Sequence, residues 1–146
     1  MGTNVRDVMT QRPRAVSPDT PISQVAELMA AEDVGAIPVV EGDRLVGMIT
    51  DRDIVIRGLA KGKDPRGMPA ADALSRELVT VGPDQDLDEA LQLMASHQVR
   101  RLPVIDEQER LVGVVSQADV ALAVKEKKSG EMLEDISRPP RGPRTA

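Results

Sequence analysis

Apolar residues return along this chain in two rhythms, and each rhythm occurs twice. Ile22, Val25, Ala26, Leu28 and Met29 fall on one side of a helical wheel, and Leu87, Ala90, Leu91, Leu93 and Met94 repeat the spacing. Each set predicts an amphipathic helix. Pro21 suits the first turn of the first helix, and Asp86 with Glu89 offers a capping pair for the second. A short extended piece precedes each helix, Arg14 to Ser17 and Val79 to Val81, and ends at a Pro-Asp turn. Beyond each helix the pattern changes to short uninterrupted apolar runs. Ile37 to Val40 and Leu45 to Ile49 flank Glu41-Gly42-Asp43, and Leu102 to Ile105 and Leu111 to Val115 flank Asp106 to Glu109. These read as hairpins with strands covered on both faces. A second helix follows each hairpin, from about residue 51 to 60 and from about 117 to 127.

The doubling extends to residue identity. A shift of 65 lays Val16, Pro18 and Asp19 over Val81, Pro83 and Asp84, and Leu28-Met29-Ala30 over Leu93-Met94-Ala95. One extra residue in the second hairpin turn then lays Arg44-Leu45-Val46-Gly47 over Arg110-Leu111-Val112-Gly113, and Asp53 over Asp119. This is an internal duplication. Residues 5–60 form repeat 1 and residues 70–127 repeat 2, with 61–69 a Gly- and Pro-containing linker. Residues 128–146, with Arg138, Arg141 and Arg144 among prolines, are expected to form a flexible tail. The fold class expected is α/β (α+β). A half of this size without aromatic rings cannot bury an adequate core alone. The copies should therefore pack sheet to sheet about a pseudo-twofold axis, with two equivalent clefts between them.

Composition narrows the chemistry. The 146 residues include no Phe, Tyr, Trp or Cys and a single histidine, His97. That removes disulfides, thiolate catalysis, cysteine zinc sites and multi-histidine metal sites. It also removes the aromatic platforms on which single-stranded bases stack. With 19 basic against 24 acidic residues the net charge is −5, which disfavours nucleic acid as a partner. There is no run of about 18 apolar residues to span a membrane, and no apolar signal core near the N-terminus. A cytoplasmic location is the expectation.

Chemistry concentrates where each hairpin ends. Gly47-Met-Ile-Thr50-Asp-Arg-Asp53 is repeated as Gly113-Val-Val-Ser116-Gln-Ala-Asp119. A hydroxyl followed three residues later by an acid is a capping box, which stabilises a helix start without any ligand. The same geometry can hold phosphate at the helix N-terminus, with the carboxylate accepting from ribose hydroxyls. The adjacent pair Asp51 and Asp53 is not a catalytic dyad, because only Asp53 has a counterpart in the second copy. No base stands beside a nucleophile, so neither catalytic residues nor a metal set is assigned. Met29 and Met94 belong to the core, and His97 reads as a surface residue at a helix end.

Pro38-Val-Val and Pro103-Val-Ile, each followed by Gly-x-x-Thr/Ser-x-x-Asp, closely resemble tandem cystathionine β-synthase (CBS) domains. The resemblance runs from about residue 5 to 127. The stretch from Thr50 to Pro65 is similar to small stand-alone bacterial CBS-pair proteins of the hypoxic response protein type. It implies two β-α-β-β-α repeats forming a regulatory (Bateman) module. That module would bind an adenosine-containing ligand (AMP, ADP, ATP, NAD or S-adenosylmethionine) between the copies, and would commonly form a homodimer. No obligatory cofactor is implied.

Carried over by position, the resemblance gives one cleft Ser116 for phosphate and Asp119 for ribose, with Val114 on the same strand. The other copy would close it with Thr10, Ala15, Val34 and Gly35. Arg100 and Arg101 fall where basic phosphate contacts are expected, although they also suit a helix end as solvated charges. The mirror cleft would use Thr50 and Asp53, closed by Ser75, Thr80, Val99 and Arg100. Gly35 and Ala36 replace the two arginines there, so unequal affinities are expected. The resulting reading is a non-enzymatic ligand sensor acting on a separate, unidentified effector protein. The alternative is a ligand-free dimeric scaffold or stress protein of the same fold.

Overall fold

The computed structural model describes residues 3–135, with side chains described through 129. In chain order the elements are α1 (Val5–Val8), β1 (Thr10–Gln11), α2 (Ile22–Glu32), β2 (Ala36–Glu41), β3 (Arg44–Thr50) and α3 (Asp51–Asp53). They continue with α4 (Leu87–His97), β4 (Arg101–Ile105), β5 (Leu111–Ser116) and α5 (Gln117–Asp135). Both predicted amphipathic helices form over the expected faces. Ile22, Val25 and Met29 are buried on α2, as are Leu87, Ala90 and Met94 on α4. Both end on a left-handed residue at equivalent positions, Asp33 and Gln98.

The hairpins β2–β3 and β4–β5 are antiparallel, and each carries a register shift at the same point, Val39/Val40 and Val104/Ile105. The extended pieces reduce to single parallel bridges, Val16 to Val39 and Val81 to Val104. Burial along β3 alternates instead of covering both faces, with Leu45, Gly47 and Ile49 buried and Val46, Met48 and Thr50 half-buried. The helix starts also differ in detail. Pro21 precedes α2 as its cap. Asp86 caps α4 through the Asp88 N–H at 3.1 Å, while Glu89 accepts from Gln85 Nε2 and does not close a box.

The halves are not built from contiguous stretches of chain. Strand β1 leaves its own repeat and pairs with β5, Thr10 opposite Val114. Reciprocally, Ser75 of repeat 2 exchanges two backbone hydrogen bonds with Met48 on β3, at 2.8 and 3.2 Å. The glycines of the two Gly-x-x-Thr/Ser motifs permit this crossing. A Cβ on Gly47 would stand 2.6 Å from Leu74 Cδ1 and 2.8 Å from the Ser75 carbonyl; one on Gly113 would stand 2.5 Å from Met9 Sδ and 3.0 Å from the Thr10 carbonyl. One core cluster accordingly runs from Ile22 through Ile37, Val39 and Ile49 to Ala70, Ala73 and Leu74. The other takes Val5 from the N-terminal segment together with Leu87, Met94, Leu102, Val104, Val115 and Val120. The hairpin turns also meet. Leu45 and Leu111 donate to the carbonyls of Glu109 and Asp43, and Arg44 pairs with Glu109 at 2.8 Å. The whole is a mixed helix-and-strand fold in which the two sheets pack as the duplication implied.

The second helices depart most from expectation. After Asp53, α3 widens into a π-helical stretch, Ile54–Gly58, and closes as a 3-10 turn, Leu59–Lys61. Helix α5 continues to Asp135, so residues 128–135 are helical and not part of a tail. The chain has no proline between Pro103 and Pro139 to end that helix earlier. The remaining tail residues, with Arg138, Arg141 and Arg144, lie outside the described residues.

Candidate functional site

Each hairpin delivers its hydroxyl residue to the start of a helix at the seam between the halves. In strand register Ala36 lies opposite Thr50, and Arg101 lies opposite Ser116. The following N–H groups are tied back equivalently, Asp51 to the Gly35 carbonyl at 2.9 Å and Gln117 to the Arg100 carbonyl at 2.7 Å. The two helix starts share a single cavity of about 800 Å³.

That cavity brings together Val34, Gly35 and Thr50 from the first half with Val99, Arg100, Arg101 and Ser116 from the second. The expectation of two separate clefts is corrected in this respect: both hydroxyls open onto one continuous space. The cavity also takes in Asp51, weighed above only as half of a carboxylate pair, and Asp33, Met48, Arg52 and Gln98, to which the sequence reading gave no site role. Asp33 and Gln98 could have been found as matched helix-end positions of the two repeats. Arg52 had no such signal, since Ala118 replaces it in the second copy. No ion pair or side-chain hydrogen bond engages the guanidinium groups of Arg52, Arg100 and Arg101 within the described residues. Facing them are the carboxylates of Asp33 and Asp51, so the cavity carries a net positive charge suited to an anion.

The other expected contacts lie outside this lining. Thr10 and Val114 are paired beside it on β1 and β5, Ser75 is paired to the lining residue Met48, and Ala15 and Thr80 are half-buried on the extended pieces leading to α2 and α4. The two acids also depart from the mirror image. Asp53 does not line the shared cavity: its Oδ2 accepts from the Thr50 N–H at 2.9 Å while its own N–H donates to Thr50 Oγ1 at 3.0 Å. Its Oδ1 lies 3.9 Å from Nε of Arg57, which also donates through Nη1 to the Leu74 carbonyl at 3.0 Å. Asp119 makes only half of this box, its N–H donating to Ser116 Oγ at 3.2 Å. Its carboxylate is exposed and lines a neighbouring depression of about 590 Å³ with Thr3, Asp7, Ala123, Glu126 and Lys127.

Fold, duplicated helix starts and shared cavity together define a tandem pair of matched repeats. The family model described as "CBS domain" matches residues 5–59 and 70–126, and the chain belongs to that family. The chain is similar to CBS domain-containing protein YhcV of Bacillus subtilis, 45% identical over 136 residues covering 92% of this chain and 96% of YhcV. It is also similar to Hypoxic response protein 1 of Mycobacterium tuberculosis, 39% identical over 138 residues covering 94% of this chain and 96% of that protein. Among solved structures, Hypoxic Response Protein I with two coordinated zinc ions superposes with a TM-score of 0.74 at 42% identity, covering 83% of this chain and 98% of that one. CBSX2 in complex with AMP superposes with a TM-score of 0.77 at 27% identity, covering 87% and 99%.

Zinc does not fit the residues here. The chain has no cysteine and one histidine, and His97 is exposed at the end of α4. Among the described residues, no group of three His, Cys, Asp or Glu side chains could hold a metal ion. Nor is any described helix long and apolar enough to cross a membrane.

Proposed function

We propose that this chain is a non-enzymatic regulatory module that binds an adenosine-containing nucleotide at the seam between its two repeats. The carrying observation is the shared cavity of about 800 Å³, which Ser116 lines together with Arg100 and Arg101, neither arginine being in an ion pair among the described residues. Phosphate would take those charges and the Ser116 hydroxyl. Asp119, one turn into α5 with an unengaged carboxylate, would accept from the ribose hydroxyls. Thr10, Ala15, Val34, Gly35 and Val114 would enclose the remaining nucleoside, as the AMP complex of CBSX2 supports at the level of ligand class. Thr50, Asp53, Ser75, Thr80 and Val99 mark the matching place in the other half, where the Asp53 carboxylate is already held by the Thr50 N–H.

Such a ligand acts by bridging the repeats. It shifts their relative orientation only as far as it binds one arrangement more tightly than another. The output is then a separate effector protein, in keeping with a homodimeric regulatory module. Val55, Ile56 and Leu59, about half exposed on one helix, offer an apolar face to a second copy. The scaffold reading has its own support in Asp53, whose carboxylate serves its own helix. It is kept for that half alone.

A chain lacking Phe, Tyr, Trp and Cys is nearly transparent at 260–280 nm, so co-purified adenine shows directly in its ultraviolet spectrum. The expected result is a 260 nm band, or a rise in Tm on adding AMP, ATP, NAD or S-adenosylmethionine. Asp119→Ala should remove the response with little loss of stability. A blank spectrum and an unmoved Tm with all four ligands would leave the scaffold.

A further inference from the structure

The duplicated motif promises two ribose-binding carboxylates, but the side chains around them differ at one position. Residue 57 of repeat 1 aligns with residue 123 of repeat 2, and the pair is arginine and alanine. The Arg57 Nε lies 3.9 Å from Asp53 Oδ1, and its Nη1 is anchored on the Leu74 carbonyl at 3.0 Å. The second oxygen of Asp53 is held by the Thr50 N–H at 2.9 Å. Both acceptor oxygens are therefore addressed from within the chain, and the side chain retains only 14% of its exposure. Ala123 can do none of this, and Asp119 is left exposed with its carboxylate unengaged.

We infer that Arg57 is a specificity-determining residue that closes the Asp53 position to ribose, so that each chain takes one nucleotide and takes it at Asp119. This rests on the nucleotide reading above. A ribose diol must displace a charged, doubly anchored neighbour at Asp53, whereas at Asp119 it displaces only water. The Arg57 anchor is the carbonyl just before Ser75, the residue paired with β3. The closure is thus fastened to the crossing segment of the other repeat.

Calorimetric titration of AMP into the full chain tests this by stoichiometry. Wild type should take one AMP per chain, and Arg57→Ala two, with the second removed again by adding Asp53→Ala. Arg57→Gln, which can keep a donor toward the Leu74 carbonyl without the charge, gives the same reading should the alanine variant unfold by circular dichroism. In the opposite direction, Ala123→Arg should weaken the wild-type site at least tenfold while leaving the fold intact. One AMP per chain in wild type and in both Arg57 variants overturns the inference and leaves the nucleotide reading standing. Two AMP per wild-type chain does the same. No AMP bound by wild type or any variant overturns the inference, and the same result with ATP, NAD and S-adenosylmethionine overturns the nucleotide reading as well.

Discussion

Each half opens a helix with a hydroxyl residue followed three positions later by an aspartate, yet the two aspartates are used differently. In the first half Asp53 closes a reciprocal cap with Thr50 and faces Arg57. In the second, Ser116 Oγ accepts from the Asp119 N–H, but the Asp119 carboxylate accepts nothing from the Ser116 N–H. The depressions beside the two helices diverge in the same way. Beside α3 the walls include Arg57, Lys61 and Lys63 with Asp64 and Asp72, while beside α5 they include Asp7, Asp119 and Glu126 with Lys127. Duplication preserved the backbone plan and released the charges on it. One copy spends its acid on its own stability, and the other leaves it available.

The largest test of this comparison concerns the crossings that both halves share. At Gly47 an added methyl would press on the rigid Ser75 carbonyl and Leu74, whereas at Gly113 its nearest neighbour is the flexible end of Met9. Gly47→Ala should cost toward the upper end of about 1–3 kcal/mol and Gly113→Ala toward the lower end. Urea midpoints followed by circular dichroism would show the order, and the reverse order would break the comparison. The caps come next. Thr50→Ala should cost about 1 kcal/mol, the ordinary value for a satisfied N-cap. Ser116→Ala, which loses only a 3.2 Å contact, should cost less; equal losses would mean that the two boxes are alike.

The smallest effect is a pH dependence in the hairpin turns. The Arg110 backbone N–H, followed by its guanidinium and the Gln108 N–H, holds the Asp106 carboxyl below the ordinary carboxylate range. A lowered folded-state value stabilises above the unfolded value of about 4 and is lost as pH falls through the folded one. Asp106→Asn should therefore differ from wild type at neutral pH and converge with it in acid. Thermal melts between pH 7 and pH 3 would reveal parallel curves if the contact contributes nothing.

Most of the architecture could be read from periodicity and self-similarity, because apolar spacing and the Pro-Asp and Gly-Asp turns act locally. The crossing of Thr10 and Ser75 into the opposite halves could not, since it is made by backbone hydrogen bonds that leave no side-chain pattern. The site was legible as residues but not as a shape. Thr50, Ser116 and the arginines were visible in the motif, whereas their opening onto one cavity depends on how the sheets meet. The Asp53–Arg57 contact did carry a signal, an acid and a base four apart on a helix. That signal competes with many similar surface pairs. The extension of α5 past residue 127 was hidden because its polar residues give no apolar stripe to follow.

The exchanged segments bear on how the molecule can be divided. Val5 completes the core of repeat 2, while Ala70, Ala73 and Leu74 complete that of repeat 1. A cut at the linker would thus strip each product of wall material held by the other. Two separate single-repeat chains could satisfy the same contacts only by lending each other their leading strands. The tandem chain is, in geometric terms, such a swapped pair made permanent by nine residues of tether, Lys61 to Pro69.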